Sequence, residues 1–165
     1  MPKQPTKPNL SLVLFQPDIP QNAGAMLRLA AALGVGAEFI LPCGFLLDDR
    51  KLRRAGMDYL DLIEPLRHPS WEAFEADRRA KDRRLALLTT QGDQIYSDFR
   101  FQAGDALMVG QESAGVPEAV RQAADARLVI PMVPGARSLN VAQAAAIALA
   151  EALRQLSSRP AIGDF

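Results

Sequence analysis

The chain has 165 residues, of which 48% are hydrophobic, and its formal net charge is zero. These totals predict one ordinary globular domain and argue against a histone-like nucleic-acid binder, although a local basic face stays compatible with them. The single cysteine, Cys43, and the single histidine, His68, exclude a disulfide framework and a cysteine-based metal site. Because no apolar run reaches the length of a membrane-spanning helix, we expect no membrane among its partners. Because the chain has only one cysteine and one histidine, we also expect no metal.

The two ends of the chain differ in composition from its middle. Residues 1–8 are polar and proline-rich without an apolar stretch, which predicts a short disordered lead and not a signal peptide. We expect a single domain over residues 9–158, because no repeat or linker divides this range. Residues 159–165 are predicted to form a tail.

The first predicted strand, Leu10–Phe15, is followed by a helical pattern. Asn22 is a plausible N-cap for this helix, and Gly34 lies where a helix-ending glycine is expected. Arg28 is predicted to lie opposite the apolar face of the helix, which comprises Met26, Leu29, Ala30 and Leu33. Further strands are predicted at 36–41 and 60–64, with a charged helix and a turn in between.

The second half of the chain continues the alternation of strands and helices. Three more strands are predicted at Leu85–Thr90, Ala106–Gly110 and Leu128–Ile130. An amphipathic helix with Trp71 and Phe74 inward precedes the first of them, and a helix over 117–124 precedes the last. This alternation predicts an α/β fold, in which a six-stranded parallel sheet has helices on both faces.

The final helix is predicted over Val141–Leu156, with Asn140 as its cap. Because this helix is apolar almost all round and rich in alanine, we expect it to be buried on every side. Pro131, Pro134 and Gly135 forbid regular structure just before it, which predicts a rigid loop between a strand end and a helix N-terminus.

Three stretches place small or polar residues directly after a strand, at 89–92, 110–115 and 131–140. The carboxyl ends of parallel strands share one edge of a sheet, so these stretches are expected to converge on a ligand site. Neither a GxGxxG nor a GxxxxGK[ST] pattern is present, which removes the usual dinucleotide and P-loop interpretations.

Each candidate residue also has a simpler interpretation. Ser138 and Asn140 are more often only helix caps, Gly110 a turn residue, and Glu112 a solvated side chain. Arg28, and the basic residues at 78–84, are most simply surface charges on helices. The cluster Arg50, Lys51, Arg53 and Arg54 is either a solvated face or a set of phosphate contacts for RNA.

Taken together, three ordered segments resemble the motifs of the SPOUT methyltransferases. They are PQNAGAMLR at 20–28, GQESAGVPE at 110–118 and IPMVPGARSLNVAQAAAIAL at 130–149. The segment PCGF at 42–45, followed by DDRKLRRAGMDY at 48–59, resembles more narrowly the small tRNA 2′-O-methyltransferases that act on the wobble nucleotide, position 34. This chain has Ala114 where many relatives carry arginine in the second motif.

The resemblance implies a SPOUT fold whose C-terminal part forms a trefoil knot, and a homodimer with the first and last helices in its interface. It also implies S-adenosyl-L-methionine as the cofactor and no metal. The positions that match the family's cofactor contacts are Leu88, Gly110, Ile130 and Ser138, and also Met132 and Leu139.

The implied reaction is 2′-O-methylation of a cytidine or uridine at position 34, in the anticodon stem-loop of tRNA in the cytoplasm. Arg28 matches the family's catalytic arginine. We expect it to hold a phosphate and stabilise the developing alkoxide, because arginine rarely gives up its proton. The groups expected to position the reactants are Asn22, Glu112, Ser138 and Asn140. Two alternatives stay open, namely methylation of another tRNA or rRNA site and a non-catalytic RNA-binding protein of the same fold.

Overall fold

A computed structural model of the chain describes residues 9–45, residue 50 and residues 62–156. The predicted lead and tail, and the basic residues Lys51, Arg53 and Arg54, lie outside these ranges. Arg50 is exposed, as a phosphate contact would need to be. No helix in the described ranges has both the length and the apolar character needed to cross a lipid bilayer.

The described residues contain a seven-stranded sheet in the order β3-β2-β1-β6-β4-β7-β5, in which every neighbouring pair is parallel. The strands are β1 (Ser11–Phe15), β2 (Gly36–Ile40), β3 (Leu66–His68), β4 (Leu85–Leu88), β5 (Gln94–Ile95), β6 (Ala106–Val109) and β7 (Ala126–Val129). The predicted parallel sheet is confirmed, but the predicted number of six strands is wrong. The additional strand is β5, a two-residue edge strand beside β7, too short to produce a hydrophobic pattern.

Two predicted strand positions also need correction. Residues 62–64 of the predicted third strand are not in a strand, and Leu62 is 69% exposed. β3 lies further along instead, at Leu66–His68, where it pairs with β2. β7 begins at Ala126, two residues earlier than predicted. Its second residue is Arg127, whose side chain donates to the carbonyl oxygens of Arg121 and Ala124.

Four α-helices lie entirely within the described ranges, namely α1 (Pro20–Leu33), α2 (Trp71–Ala80), α3 (Glu118–Ala123) and α4 (Val141–Leu156). The predicted bounds of α4 are confirmed. α1 begins at Pro20 and not after Asn22, because proline is preorganised for the first helical turn and Ile19 takes the capping position. Gly34 ends α1 as predicted, in the left-handed conformation with φ 70°.

Hydrophobic side chains pack on both faces of the sheet, which confirms the predicted helix-covered arrangement. α1 and α4 contribute Leu27 and Leu149 to the core on one face, against Leu12 of β1. α2 contributes Phe74 to the core on the other face, where it joins Val13 of β1. Successive residues of β1 thus point into different cores, as the two-residue period of a strand requires.

The two helices on the first face are less covered than predicted. In α1, Leu27 is fully buried whereas Leu33, expected on the apolar face, is 37% exposed. α4 buries the face that carries Ala145 and Leu149, but Ile147 is 37% exposed. The prediction that α4 is buried on every side is therefore wrong for a single chain, since the sheet and α1 can cover only one face of it.

Arg78 corrects the prediction that the basic residues at 78–84 form the wet face of a helix. Its side chain is 5% exposed and donates to Glu75, to Asp125 and to the carbonyl oxygens of Arg83 and Ala123. His68 is a structural residue. It is buried with its Nε2 2.7 Å from Glu38 Oε2, and Arg83 bonds the other oxygen of that carboxylate at 2.7 Å.

Candidate functional site

A cavity of about 430 Å³ lies where β4, β6 and β7 end and α4 begins. These three strands are neighbours in the sheet, so the loops that leave their carboxyl ends meet. All three of the sequence stretches predicted to converge contribute to the lining. The lining residues are Asn22, Leu87, Leu88, Thr89, Thr90, Val109, Gly110, Gln111, Glu112, Gly115, Val116, Val129, Ile130, Met132, Ser138, Leu139, Asn140, Val141 and Ala144.

All six positions predicted to bind the cofactor line this one cavity, namely Leu88, Gly110, Ile130, Met132, Ser138 and Leu139. Their placement together agrees with the prediction, whereas their role in binding stays a prediction. Thr89 and Thr90 also line the cavity, and sequence reasoning marked their loop but neither residue. Their position directly after β4 was the signal that could have singled them out.

Gly110 lies where two segments of backbone come into close contact. Gln111 and Gly115 exchange two backbone hydrogen bonds of 2.9 Å, which fold the loop after β6 back on itself. A Cβ atom at position 110 would lie 2.7 Å from the carbonyl carbon of Gly115. Because real side chains do not approach backbone this closely, the loop and this wall of the cavity require glycine at position 110.

Replacing Gly110 by alanine is expected to displace the loop after β6 and weaken cofactor binding. Overpacking of this kind costs about 1–3 kcal/mol, which corresponds to roughly 10- to 100-fold in affinity. Calorimetry with S-adenosylmethionine measures the change. Gly36→Ala is the matched control, because its Cβ first meets the Ser11 hydroxyl, a side-chain atom remote from the cavity. Equal affinities of Gly110→Ala and wild type would remove this loop from the binding site.

Asn140 connects the first helix of the fold to the last. Its Oδ1 accepts hydrogen bonds from the backbone N–H groups of Ala142 and Gln143, at 2.9 and 3.2 Å, which confirms the predicted cap of α4. Its Nδ2 donates to Asn22 Oδ1 at 3.0 Å. Two predicted site residues, Asn22 and Asn140, are thus held together at the edge of the cavity. Ser138 lies beside them as an exposed lining residue.

Arg28 is exposed on α1, as predicted, but is not among the described residues that line the cavity. A helix turns by about 100° per residue, so Arg28 and Asn22 point in directions roughly 120° apart. The structure therefore brings Asn22, Glu112, Ser138 and Asn140 together and places Arg28 to one side of them. Its predicted catalytic role remains a prediction.

Glu112 has an acidic partner that sequence reasoning missed. Glu112 Oε2 accepts a hydrogen bond from the backbone N–H of Asp18 at 3.2 Å, and Asp18 Oδ1 accepts one from the backbone N–H of Glu112 at 3.3 Å. Burial and the hydrogen bond to Asp18 raise the pKa of Glu112 above its ordinary value. Hydrogen bonds from Glu112 and Ser113 lower the pKa of Asp18. Because the two partners are 94 positions apart in the chain, the sequence offered no local signal for this pair.

The site offers little to a metal ion. No group of three histidine, cysteine, aspartate or glutamate side chains in the described part of the chain is arranged to hold one. Burial raises the pKa of the Cys43 thiol to about 11, so this group is an uncharged thiol near neutral pH. The chemical resources of the cavity are therefore backbone groups, amides, hydroxyls and the carboxyl group of Glu112.

Comparisons with known proteins agree over most of the chain. Residues 9–150 match the model of the SpoU rRNA Methylase family. A tRNA (cytidine(34)-2′-O)-methyltransferase from Beijerinckia indica subsp. indica is 57% identical over 93% of this chain and 96% of its own length. A solved structure concerned with 2-OH methylation of C/U34 on tRNA has a TM-score of 0.83 and 44% identity, over 89% of this chain and 95% of its own. The SpoU methyltransferase AviRb from Streptomyces viridochromogenes, solved with AdoMet, has a TM-score of 0.81 and 31% identity, over 91% of this chain and 61% of its own.

Proposed function

The chain belongs to the SpoU rRNA methylase family, and on that premise we propose that it methylates the ribose 2′-oxygen of nucleotide 34 of tRNA, a cytidine or a uridine. The observation that carries this proposal is the 57% identity to a methyltransferase named for cytidine 34, along almost the full length of both chains. Its cofactor is S-adenosylmethionine, the ligand with which the AviRb relative was solved.

The cavity fits this cofactor. A volume of about 430 Å³ is within the range of roughly 300–1,000 Å³ that small-molecule sites occupy. The residues that would hold the cofactor lie in loops fixed by Pro131, Pro134 and the Gly110 contact, so their backbone groups are preorganised. Backbone N–H and C=O groups can read the edge of an adenine without a charged side chain. When bound, the cofactor supplies an electrophilic sulfonium methyl group.

The protein's part in the chemistry is to activate a weak nucleophile. A ribose hydroxyl needs its proton removed, or the developing negative charge stabilised, before its oxygen can attack a methyl carbon. Arg28 supplies a permanent positive charge and a fork of donors, which suit a phosphate and an alkoxide. Asn22 and Asn140, bonded to each other at 3.0 Å, position the reacting groups together with Ser138 and Glu112.

Homodimerisation follows from the same premise. Ile19 and Leu33 at the two ends of α1 and Ile147 of α4 are exposed apolar side chains. Large apolar side chains on neighbouring helices are typical of a surface that another chain covers. In the dimer, α1 and α4 form the interface, and the alanine-rich surface of α4 permits close packing.

Two further properties of the family complete the proposal. The C-terminal part of the chain, including the loop at 130–140, is threaded into a trefoil knot. Support for the knot comes from family membership and from the shared cavity that this loop helps to form. Because its substrate is tRNA, the protein works in the cytoplasm. The exposed Arg50 and its basic neighbours contact phosphates of the anticodon stem-loop.

The proposal is tested by methylation of unmodified tRNA with S-adenosylmethionine carrying a labelled methyl group. Nuclease digestion and mass spectrometry of the fragments then locate the label. We expect a 2′-O-methylated cytidine or uridine at position 34, and the loss of that nucleoside from cells that lack the protein. A label at another tRNA position, or on rRNA only, would contradict the proposed site. Cofactor binding without any transfer would favour the non-catalytic alternative.

A further inference from the structure

Asp18 lies at a junction of three loops, which follow β1, β2 and β6. On one side, the backbone N–H of Gly44 donates to the carbonyl oxygen of Pro17 at 3.0 Å. A Cβ atom at position 44 would lie 2.7 Å from Asp18 Cβ and 2.8 Å from Asp18 Cα. The loop after β2 therefore packs directly against Asp18, and this contact fixes the position of Asp18 on one side.

On its other side, Asp18 holds the loop after β6. The two backbone-to-carboxyl hydrogen bonds between Asp18 and Glu112 are reciprocal, and the Ser113 hydroxyl donates to Asp18 Oδ2. Glu112 lines the cavity, whereas Asp18 is not among its described lining residues. Asp18 can therefore act on the site only through the residues it holds, of which Glu112 is the one that lines the cavity.

One oxygen of this arrangement has no donor. Glu112 Oε1 is shut off from solvent and forms no hydrogen bond with any donor in the described part of the chain. Leaving a buried carboxylate oxygen unpaired is costly. The reciprocal backbone contacts place the two carboxyl groups side by side, and each group shifts the pKa of the other. A single proton on Glu112, donated towards Asp18, satisfies both groups at once.

We propose that Asp18 is a positioning residue, which holds Glu112 at the cavity through one proton that the two carboxyl groups share. The inference rests on the proposed function, because Glu112 matters there as a group that positions the reactants. It adds a residue outside the cavity, and a protonation state, to the requirements of methyl transfer.

The directions of the two pKa shifts agree with this arrangement. Burial and Asp18 raise the pKa of Glu112, and the hydrogen bonds that Asp18 receives lower its own pKa, so the proton resides on Glu112. Asp18 is the titratable group that faces Glu112 from the loop after β1. The loop after β2 brings Cys43, which is uncharged in this pH range because its pKa is about 11. Ser113 contributes a neutral hydroxyl.

The shared proton makes the stability of the junction depend on pH. A raised pKa means that folded Glu112 binds its proton more tightly than the unfolded chain does, so its contribution to stability is complete below 4.5, the ordinary value. This contribution is lost as the pH rises through the raised pKa. The proton then passes to water, two carboxylates face each other, and the loop after β6 loses its anchor.

Infrared spectroscopy tests for the shared proton independently of methyl-transfer activity. At mildly acidic pH, above the ordinary glutamate pKa of 4.5, wild type should show the carbonyl band of a protonated carboxyl group. The band should be absent from Glu112→Gln and should disappear from wild type at higher pH. Asp98→Asn, a change at an exposed carboxylate, should leave it in place. A wild-type spectrum without this band overturns the shared proton.

Methyl transfer tests the positioning role. Asp18→Ala removes a hydrogen bond to a charged group, worth about 1.5–3 kcal/mol, and should lower kcat roughly 10- to 100-fold. Asp18→Asn should retain more turnover, because its amide can donate to Glu112 without a shared proton. Its activity should therefore decline less as the pH rises through the raised pKa of Glu112. If Asp18→Ala fails to fold, the comparison of Asp18→Asn with wild type still tests the positioning role.

Equal kcat values and equal pH profiles for wild type, Asp18→Ala and Asp98→Asn would overturn the positioning role of Asp18. Failure of the proposed function looks different. In that case wild type itself transfers no methyl group to tRNA, while the infrared band and its loss in Glu112→Gln persist.

Discussion

Arg28→Ala is expected to abolish methyl transfer to tRNA while the chain stays folded and the cofactor stays bound. Arg28 is exposed on α1 and is not among the described residues that line the cavity. We therefore expect its removal to leave both the hydrophobic core and the lining of the cavity unchanged. What it removes is the charge and the fork of donors that we propose to stabilise the developing alkoxide. By analogy with the loss of one oxyanion donor, the cost is about 2–4 kcal/mol in the barrier, or roughly 10²- to 10³-fold in rate.

Arg28→Lys separates the two possible contributions of this residue. Lysine keeps the charge but loses the bidentate geometry, so it should also be impaired if orientation matters. Single-turnover methylation at saturating cofactor measures the effect, and calorimetry checks cofactor binding. Arg100→Ala, at another exposed arginine, is the matched control. Near-normal turnover in Arg28→Ala would make Arg28 an ordinary surface arginine.

Arg78→Ala should produce the largest loss of stability among the substitutions considered. Arg78 is 5% exposed and connects the end of α2 to the carbonyl oxygen of Ala123, the last residue of α3, and to Asp125, just before β7. Its removal leaves Glu75 Oε2 and the carbonyl oxygens of Arg83 and Ala123 without the donor that Arg78 provides. Breaking a buried ion pair from one side costs about 3–5 kcal/mol.

Urea denaturation at constant pH measures this loss as a lower midpoint. Arg79→Ala provides the control, because Arg79 bonds the same Glu75 carboxylate but has 68% of its side chain exposed. An exposed ion pair contributes only about 0–1 kcal/mol. If both variants unfolded at the same urea concentration, the buried network would not be the source of the stability.

The parts of the fold that sequence predicts well are those with a local cause. Gly34 ends α1 because a left-handed residue is needed there, and Asn140 caps α4 through donors two and three residues away. The convergence of the three loops on one cavity follows from parallel strands alone. The six positions that the motif resemblance predicts to bind the cofactor all line that cavity.

The parts that sequence reasoning missed depend on partners far away in the chain. Nothing near Arg78 indicates that Asp125 will cover it, so a helical pattern assigns it to solvent. Asp18 and Glu112 are 94 positions apart in the chain. The two residues of β5 form a strand only through their pairing with the edge of β7. Such features arise when elements pack, which local periodicity does not encode.

The order of strands in the sheet also determines when this protein can fold during its synthesis. β6 is the middle strand and joins the β3-β2-β1 half to β4. β1 can therefore complete its pairing only after β6 has been synthesised, because Ser11 of β1 pairs with Ala106 of β6. Pairing between segments so distant in the chain is slow, because a long loop must close before any contact forms. Until the ribosome has released β6, β1 presents an unpaired edge, so the nascent chain is most exposed to aggregation in that interval.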